Sequence, residues 1–189
     1  FAYPIHRNVM LEPRIVTKRL ILRSFRPEDA SRGQLLYGDW EVLRMLLDEP
    51  YPYPEGAFAR WIAQHQEMRA NRTHYPLAIE HDSLCIGYVG VRPKQDQSCV
   101  IGYWLGVPYW RRGFMSEAVS AVAEFVFDSF PFNRLVARHR ADNYGSERIL
   151  ANLGFKEVRR ETVFSPSCKV ECIAILRELT RETRTTGRS

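Results

Sequence analysis

The chain has no run of about eighteen consecutive apolar residues, the length a helix needs to cross a bilayer, so no membrane partner is expected. The basic, apolar and small-residue succession of a signal peptide is missing too, which makes a cytoplasmic, reducing location the expectation. Cysteine is scarce: Cys85, Cys99, Cys168 and Cys172 form no C-x-x-C pair, so buried free thiols are expected and no metal site. The formal net charge of +5 suits anionic ligands, yet there is no dense block of like charge, which argues against a nucleic-acid partner. Neither G-x-x-x-x-G-K-[ST] nor G-x-G-x-x-G occurs, so the nucleoside-triphosphate and dinucleotide templates do not apply. Internal repeats and low-complexity blocks are absent as well.

What remains is 189 residues, 45% of them hydrophobic, enough for one substantial core in a single domain. Residues 1–13 are irregular and the last residues lack any apolar period, so 1–13 and 179–189 are expected to be flexible ends. Alternating polarity predicts strands over 19–25, 77–80, 84–92, 99–106, 135–140, 155–161 and 168–177. Helical spacing predicts helices over 30–47, 55–71, 116–130 and from Asn143 to Leu153, with the loop Tyr51-Pro-Tyr-Pro54 between the first two.

The most informative stretch runs from Ile101 to Ala118, where a strand passes through Trp110-Arg-Arg-Gly-Phe-Met115 directly into a helix. The first N–H groups of a helix lack intrahelical partners and lie at its positive end, so they suit a phosphate. Arg111 and Arg112 add charge there, and Gly113 lets backbone approach a ligand closely. A second helix start follows, with Asn143 as N-cap and Ser146 in the first turn, and Gly154 suits the left-handed position that closes it. Capping alone accounts for Asn143. The functional alternative is that both helix starts share one ligand at the carboxyl edge of a sheet.

Taken in order, the strand before Gly106, the basic glycine turn, the helix from Ser116, Asn143-x-x-Ser146 and Leu153-Gly154-Phe155 resemble the GNAT acetyltransferases. Within them the chain is similar to the ribosomal-protein N-acetyltransferase (RimJ/RimL-like) group, to which its opening Thr17-Lys-Arg-Leu-Ile-Leu-Arg23 with Pro27-Glu-Asp-Ala30 is also similar. The resemblance spans about 14–178. It implies an α+β (mixed α/β) fold with a twisted, mixed, seven-stranded sheet splayed in the middle and flanked by about four helices. Acetyl-coenzyme A, the cosubstrate, would lie in the split. Backbone at Trp104, Leu105, Gly106 and Val107 would pair with the pantetheine arm, and amides of Arg111, Arg112, Gly113, Phe114, Met115 and Ser116 would hold the pyrophosphate. Asn143 would bond the cofactor arm, and Ser146 would be the catalytic hydroxyl near the sulfur. Trp110, Gly113 and Met115 stand at the three marked places of the family's pyrophosphate turn, of which Gly113 alone matches strictly, and Leu150 stands where many members carry a tyrosine acid.

The resemblance implies an acetyl-coenzyme A-dependent N-acetyltransferase acting by direct attack of a primary amine, either a protein N-terminal α-amine or a small-molecule amine. A non-catalytic acetyl-coenzyme A-binding sensor of the same fold is the alternative. No general base is assigned: Val100 occupies the place where related chains often carry an acid, and His74, His81, His139 and Glu80 stay open as candidates. The acceptor pocket is expected among Trp40, Tyr51, Tyr53, Phe58 and Trp61, with Asp48-Glu49 beside it. A homodimer is left open.

Overall fold

The alternating run at Arg19–Phe25 forms a strand, β2 (Ile21–Arg23), and a shorter one precedes it, β1 (Ile15–Val16), paired antiparallel through Ile15↔Leu22 and Val16↔Ile21. That additional strand raises the expected seven to eight among the residues described by this computed structural model, 14–182. The chain continues through helices α1 (Asp29–Tyr37), α2 (Trp40–Leu43), α3 (Ala57–Ala63) and α4 (His65–Ala70) to strands β3 (Tyr75–His81), β4 (Leu84–Pro93) and β5 (Ser98–Leu105). Then come helix α5 (Phe114–Ser129), strand β6 (Arg134–Arg140), helix α6 (Tyr144–Asn152) and the hairpin β7 (Lys156–Ser165) and β8 (Val170–Thr180). The sheet order is β1-β2-β3-β4-β5-β6-β8-β7, antiparallel throughout except between β5 and β6.

Two expected helices are each divided, which is why the described residues hold six α-helical segments rather than four. The segment 30–47 breaks where Gly38 ends α1 and extended Asp39 caps α2, its carboxylate accepting from the Glu41 amide at 2.8 Å. The segment 55–71 breaks at Gln64, whose amide tightens onto the Trp61 carbonyl at 3.1 Å. Asp82 and Ser83, both with positive φ, make the β3–β4 turn expected at those residues.

Each face of the sheet has its own core. One gathers Ile101 and Leu105 of β5 with Ala118, Val119, Val122 and Val126 of α5, at the three- and four-residue spacing of a helix face. The other gathers Trp104 and Tyr88 with Phe25, Leu36 and Phe58 beneath α1 and α3. Strand alternation therefore turns Trp104 and its neighbours Tyr103 and Leu105 to opposite faces. Arg23, itself buried, ties β2 to the buried Asp29 in the first turn of α1 at 2.7 Å and to the half-buried Glu80 of β3 at 2.5 Å.

At the far end, Leu179 is buried and Arg181 donates to the carbonyls of Phe127, Phe130 and Phe132 at the close of α5, so the folded unit continues through residue 182. Residues 1–13 and 183–189 of the expected flexible ends lie outside the described residues. All four cysteines are free: Cys85 and Cys99 are buried as expected, and Cys168 and Cys172 are half-buried. Among the described residues, no helix is long and apolar enough to cross a membrane.

Candidate active site

The sheet opens between its two parallel strands. β5 and β6 pair only through Ser98↔Arg134, Cys99↔Leu135 and Val100↔Val136, after which Ile101–Leu105 and Ala137–Arg140 run on without each other. On its other edge β5 stays paired with β4 as far as Gly87↔Leu105, and the Gly106 amide donates to the Ile86 carbonyl at 3.0 Å. Hydrogen-bonded pairs alternate along an antiparallel ladder, so Gly106, Trp104 and Gly102 spend their backbone groups on β4. Tyr103 and Leu105 turn theirs toward the split. The Leu105 carbonyl accepts from the Trp110 indole at 2.6 Å, which leaves the Leu105 N–H as the donor facing the opening.

After a short 3-10 turn at Val107–Tyr109, Arg111 (φ 59°) and Gly113 (φ 77°) adopt left-handed backbone and the chain enters α5 at Phe114, two residues earlier than expected. The first return bond of the helix, Glu117 N–H to Gly113 carbonyl at 3.1 Å, leaves the amides of Phe114, Met115 and Ser116 ahead of it, and glycine at the cap has no side chain to satisfy them. Met115, bulkier than the family's usual residue there, directs most of its side chain into the core and is 6% exposed.

A strut from the chain's opening holds this turn. Arg19 donates to Glu117 at 2.7 Å and to the Arg112 carbonyl at 2.8 Å, Thr17 donates to Glu117 at 2.6 Å, and the Phe114 ring lies under both Arg19 and Arg112. Burial pushes the Glu117 carboxyl up, but the bonds from Thr17 and Arg19 outweigh it and hold the group below the usual carboxylate range. Arg19 thus neutralises an anion one turn from where a phosphate would sit.

The second helix start faces the same opening. Asn143 caps α6, its Oδ1 accepting from the Ser146 amide at 3.0 Å while its Nδ2 reaches the Met45 carbonyl at 3.5 Å. Gly154 is left-handed (φ 89°), and the Phe155 amide returns to the Leu150 carbonyl at 3.0 Å, the expected close of the helix. Leu150 is fully buried and plays a packing part. Ser146 lies half-buried in the first turn.

One cleft of about 740 Å³ joins these parts. Of the residues singled out from sequence, Trp104, Leu105, Arg111, Gly113, Phe114, Met115, Ser116, Asn143 and Ser146 line it. Gly106, Val107 and Arg112 are not among its lining residues. Gly106 sits tight under α1, where an added Cβ would come within 2.9 Å of Leu36, Val107 packs into the core below α1, and Arg112 offers its carbonyl to Arg19. Sequence reasoning missed Tyr103, Arg148 and the wall made by Val42, Met45 and Leu46. Tyr103 was legible as the split-facing neighbour of Trp104, whereas the wall comes from about a hundred residues away and has no local signal.

None of the four base candidates lines the cleft. His74 is buried against the Tyr88 hydroxyl at 2.7 Å, and burial with the nearby Arg92 charge pushes it down to about 3. His139 donates from Nδ1 to the Arg140 carbonyl and accepts at Nε2 from Arg177, so both ring nitrogens are engaged. Glu80 is paired with Arg23, and His81 packs on the Phe114 ring. Asp142, the one carboxylate among the lining residues, is bound by Arg140 at 2.8 Å, which holds it below its ordinary range. The aromatic residues expected to shape an acceptor pocket lie elsewhere: Phe58 and Trp61 pack with Phe25 in the core, Tyr53 packs edge-on against Tyr37, and Trp40 and Tyr51 pair at the surface.

A split sheet whose open edge and two helix starts converge on a single cleft is built to take an extended carrier with a phosphate group. The chain matches the family model described as an acetyltransferase (GNAT) domain over residues 19–156. It belongs to the GNAT acetyltransferases, whose cosubstrate is acetyl-coenzyme A. Among curated relatives, an uncharacterised N-acetyltransferase, p20, of Bacillus licheniformis is 29% identical over 150 residues, covering 76% of this chain and 82% of its own length. The [ribosomal protein uS5]-alanine N-acetyltransferase of Escherichia coli is 26% identical over 163 residues, covering 80% and 82%. Among solved structures, the microcin C7 self-immunity acetyltransferase MccE in complex with acetyl-CoA and AMP superposes with a TM-score of 0.77 at 18% identity, covering 92% of this chain and 99% of that one.

Proposed function

We propose that this enzyme transfers the acetyl group of acetyl-coenzyme A to a primary amine by direct attack in a ternary complex, with a protein N-terminal α-amine as the preferred class of acceptor. The observation that carries the reading is the convergence of the β5 edge and the starts of α5 and α6 on one cleft. The residues present fit the carrier. Leu105 offers an unpaired strand amide, the amides of Phe114–Ser116 form an uncapped helix start, and Arg111 and Arg148 add positive charge.

In this reading the Leu105 N–H polarises the thioester carbonyl as charge builds on its oxygen, the α5 start anchors the diphosphate, and Ser146 donates to the departing sulfur. Asn143 bonds the cofactor arm through whatever capacity its capping role leaves. The cleft supplies no unpaired carboxylate or histidine to strip a proton from the acceptor. An α-amine, with an unperturbed pKa near 8, loses its proton far more readily than a lysine ε-amine near 10.4, and this favours chain termini or small amines of low basicity. The name of the Escherichia coli relative supports the same class.

The test is thiol release from acetyl-coenzyme A across peptides with free N-termini, polyamines, aminoglycosides and amino acids, with one peptide offering only a lysine side chain. Turnover on an alanine-initiated peptide, and little on the lysine, is expected. Ser146→Ala should lower kcat at least tenfold with acetyl-coenzyme A affinity unchanged. Saturable binding without transfer to any amine would overturn the transfer reading, and an unchanged kcat would remove Ser146 from it.

A further inference from the structure

The face that α6 turns to the cleft has two unlike flanks. Gly145 and Ile149 stand at its middle, and a side chain at Gly145 would find Asn143 Oδ1, at 3.5 Å, as its nearest neighbour outside the helix backbone, so the surface there is open. At about 3.6 residues per turn, Ser146 falls on one flank, while Tyr144 and Arg148, four residues apart, fall together on the other. The Ser146 flank is half-buried. On the opposite flank Tyr144 is 72% exposed and Arg148 is exposed too. No acid stands three or four positions from Arg148 on the helix, where Tyr144, Gly145, Ala151 and Asn152 lie. The acids nearby are spent: Glu147 is bound by Arg177 at 2.9 Å and Asp142 by Arg140 at 2.8 Å. An exposed arginine or tyrosine alone is ordinary. Here an uncompensated cation and an uncovered ring share one flank of a ligand-facing helix, which suits a ligand that carries both an anion and a flat ring.

We infer that this outer flank of α6 is a selectivity subsite for the nucleotide end of the carrier: Arg148 takes the 3′-phosphate of coenzyme A and Tyr144 stacks on its adenine. The inference rests on the acetyl-transfer reading above. With the thioester at Leu105 and Ser146 and the diphosphate at the start of α5, the 3′-phosphoadenosine is the part of the carrier still to be placed, and the outer flank is the wall still unused. A phosphate monoester carries about −1.5 to −2 charge at pH 7, and the planar guanidinium fork matches two of its oxygens at once. Adenine presents a flat π face that an exposed phenol ring can cover. Arg111, on the turn that leads into α5, stands with the diphosphate and supplies the contrast. The consequence is choice of carrier. A pantetheine arm without its nucleotide, as on an acetylated carrier protein, would lose both contacts.

Calorimetric titration of the whole protein with coenzyme A, dephospho-coenzyme A and 4′-phosphopantetheine separates these contacts and needs no acceptor. The wild type should bind coenzyme A about tenfold more tightly than the dephospho form, and Arg148→Ala should erase that preference by weakening coenzyme A alone. Tyr144→Ala should weaken coenzyme A and dephospho-coenzyme A by the same factor, about fivefold, and leave 4′-phosphopantetheine unchanged. Arg111→Ala should weaken coenzyme A and its dephospho form alike and keep the preference between them. Tyr144 and Arg148 are exposed, so the melting temperatures of their variants should match the wild type. Equal wild-type affinities for coenzyme A and dephospho-coenzyme A, or a preference that survives Arg148→Ala, would overturn the phosphate assignment. Nucleotide-bearing ligands held as tightly by Tyr144→Ala as by the wild type would overturn the stacking. Either result would leave the acetyl-transfer reading standing. If coenzyme A failed to bind the wild type at all, that reading would fall and the subsite with it.

Discussion

The indole N–H of Trp110 donates to the carbonyl of Leu105 at 2.6 Å, and this bond decides which backbone group of the open strand is free. It satisfies the acceptor of Leu105 and pins the end of β5 against the turn that follows, leaving the N–H as the group on offer. Trp110→Phe keeps the ring and removes the donor. Losing one hydrogen bond to a backbone carbonyl costs about 1 kcal/mol, so acetyl-coenzyme A affinity should fall roughly fivefold in calorimetric titration. An unchanged affinity would mean that the strand end is held by the ladder with β4 alone.

Arg19 and Glu117 form the second relationship, and its test uses charge. Removing Arg19 frees the Arg112 carbonyl and leaves the Glu117 carboxylate without its cation beside an anion site. Arg19→Ala should raise the Kd of acetyl-coenzyme A about tenfold, more at low salt than at high. If the damage is electrostatic, Glu117→Gln in the same chain should recover part of the lost affinity. A double variant as weak as Arg19→Ala would show instead that Arg19 acts by holding the shape of the turn.

How much of this could be read from sequence follows the range of each signal. The turn at Gly113, the cap at Asn143 and the close at Gly154 were legible because each is fixed by one residue's backbone or side chain and its near neighbours. The split was implied by family resemblance, and its backbone pairing became visible only with the registers of β4, β5 and β6 together. Contacts across 98 residues, Arg19 with Glu117 and Asn143 with Met45, leave no periodic trace. The division of 30–47 was misread because its apolar spacing runs through the break, although Gly38-Asp39 is a stop and a cap in sequence. Gly106 reads as backbone for a ligand; the tight approach of the Leu36 side chain to it has no signal in the sequence.

Arg181 closes α5 from outside the helix. Its guanidinium donates to Phe127 at 2.5 Å, Phe130 at 2.7 Å and Phe132 at 3.0 Å, three carbonyls at and beyond the negative end of the helix. Charged donors to carbonyls are worth about 1.5–3 kcal/mol, somewhat less where water competes. Arg181→Ala should therefore lower stability by about 1–2 kcal/mol in urea titration, with kcat and acetyl-coenzyme A affinity unaffected because the opposite end of α5 bounds the cleft. A variant as stable as wild type would assign the closing of α5 to water and backbone alone.

Acid sensitivity should come first from buried histidines. His65 lies among Phe25 and Trp61 with neither ring nitrogen hydrogen-bonded, and His74 is buried against Trp61 and Tyr88, so burial lowers them to about 4 and about 3. Unfolded histidine titrates near 6.5, so below that pH the unfolded chain binds protons that the folded chain refuses. The sign is fixed: stability is fully present above about 6.5 and is lost as pH falls toward the folded values. The loss reaches about 2 kcal/mol per histidine near pH 5. Asp29, Asp142 and Glu117, held low by their arginine partners, should not contribute until the pH is lower still. His65→Phe keeps the ring contacts and removes the titration. Its urea midpoint at neutral pH should be no lower than wild type, and its loss of stability toward about pH 5 should be smaller by about 2 kcal/mol, the rest coming from His74 and from His139, which burial also lowers. A pH profile parallel to wild type would show that His65 is protonated in the folded state.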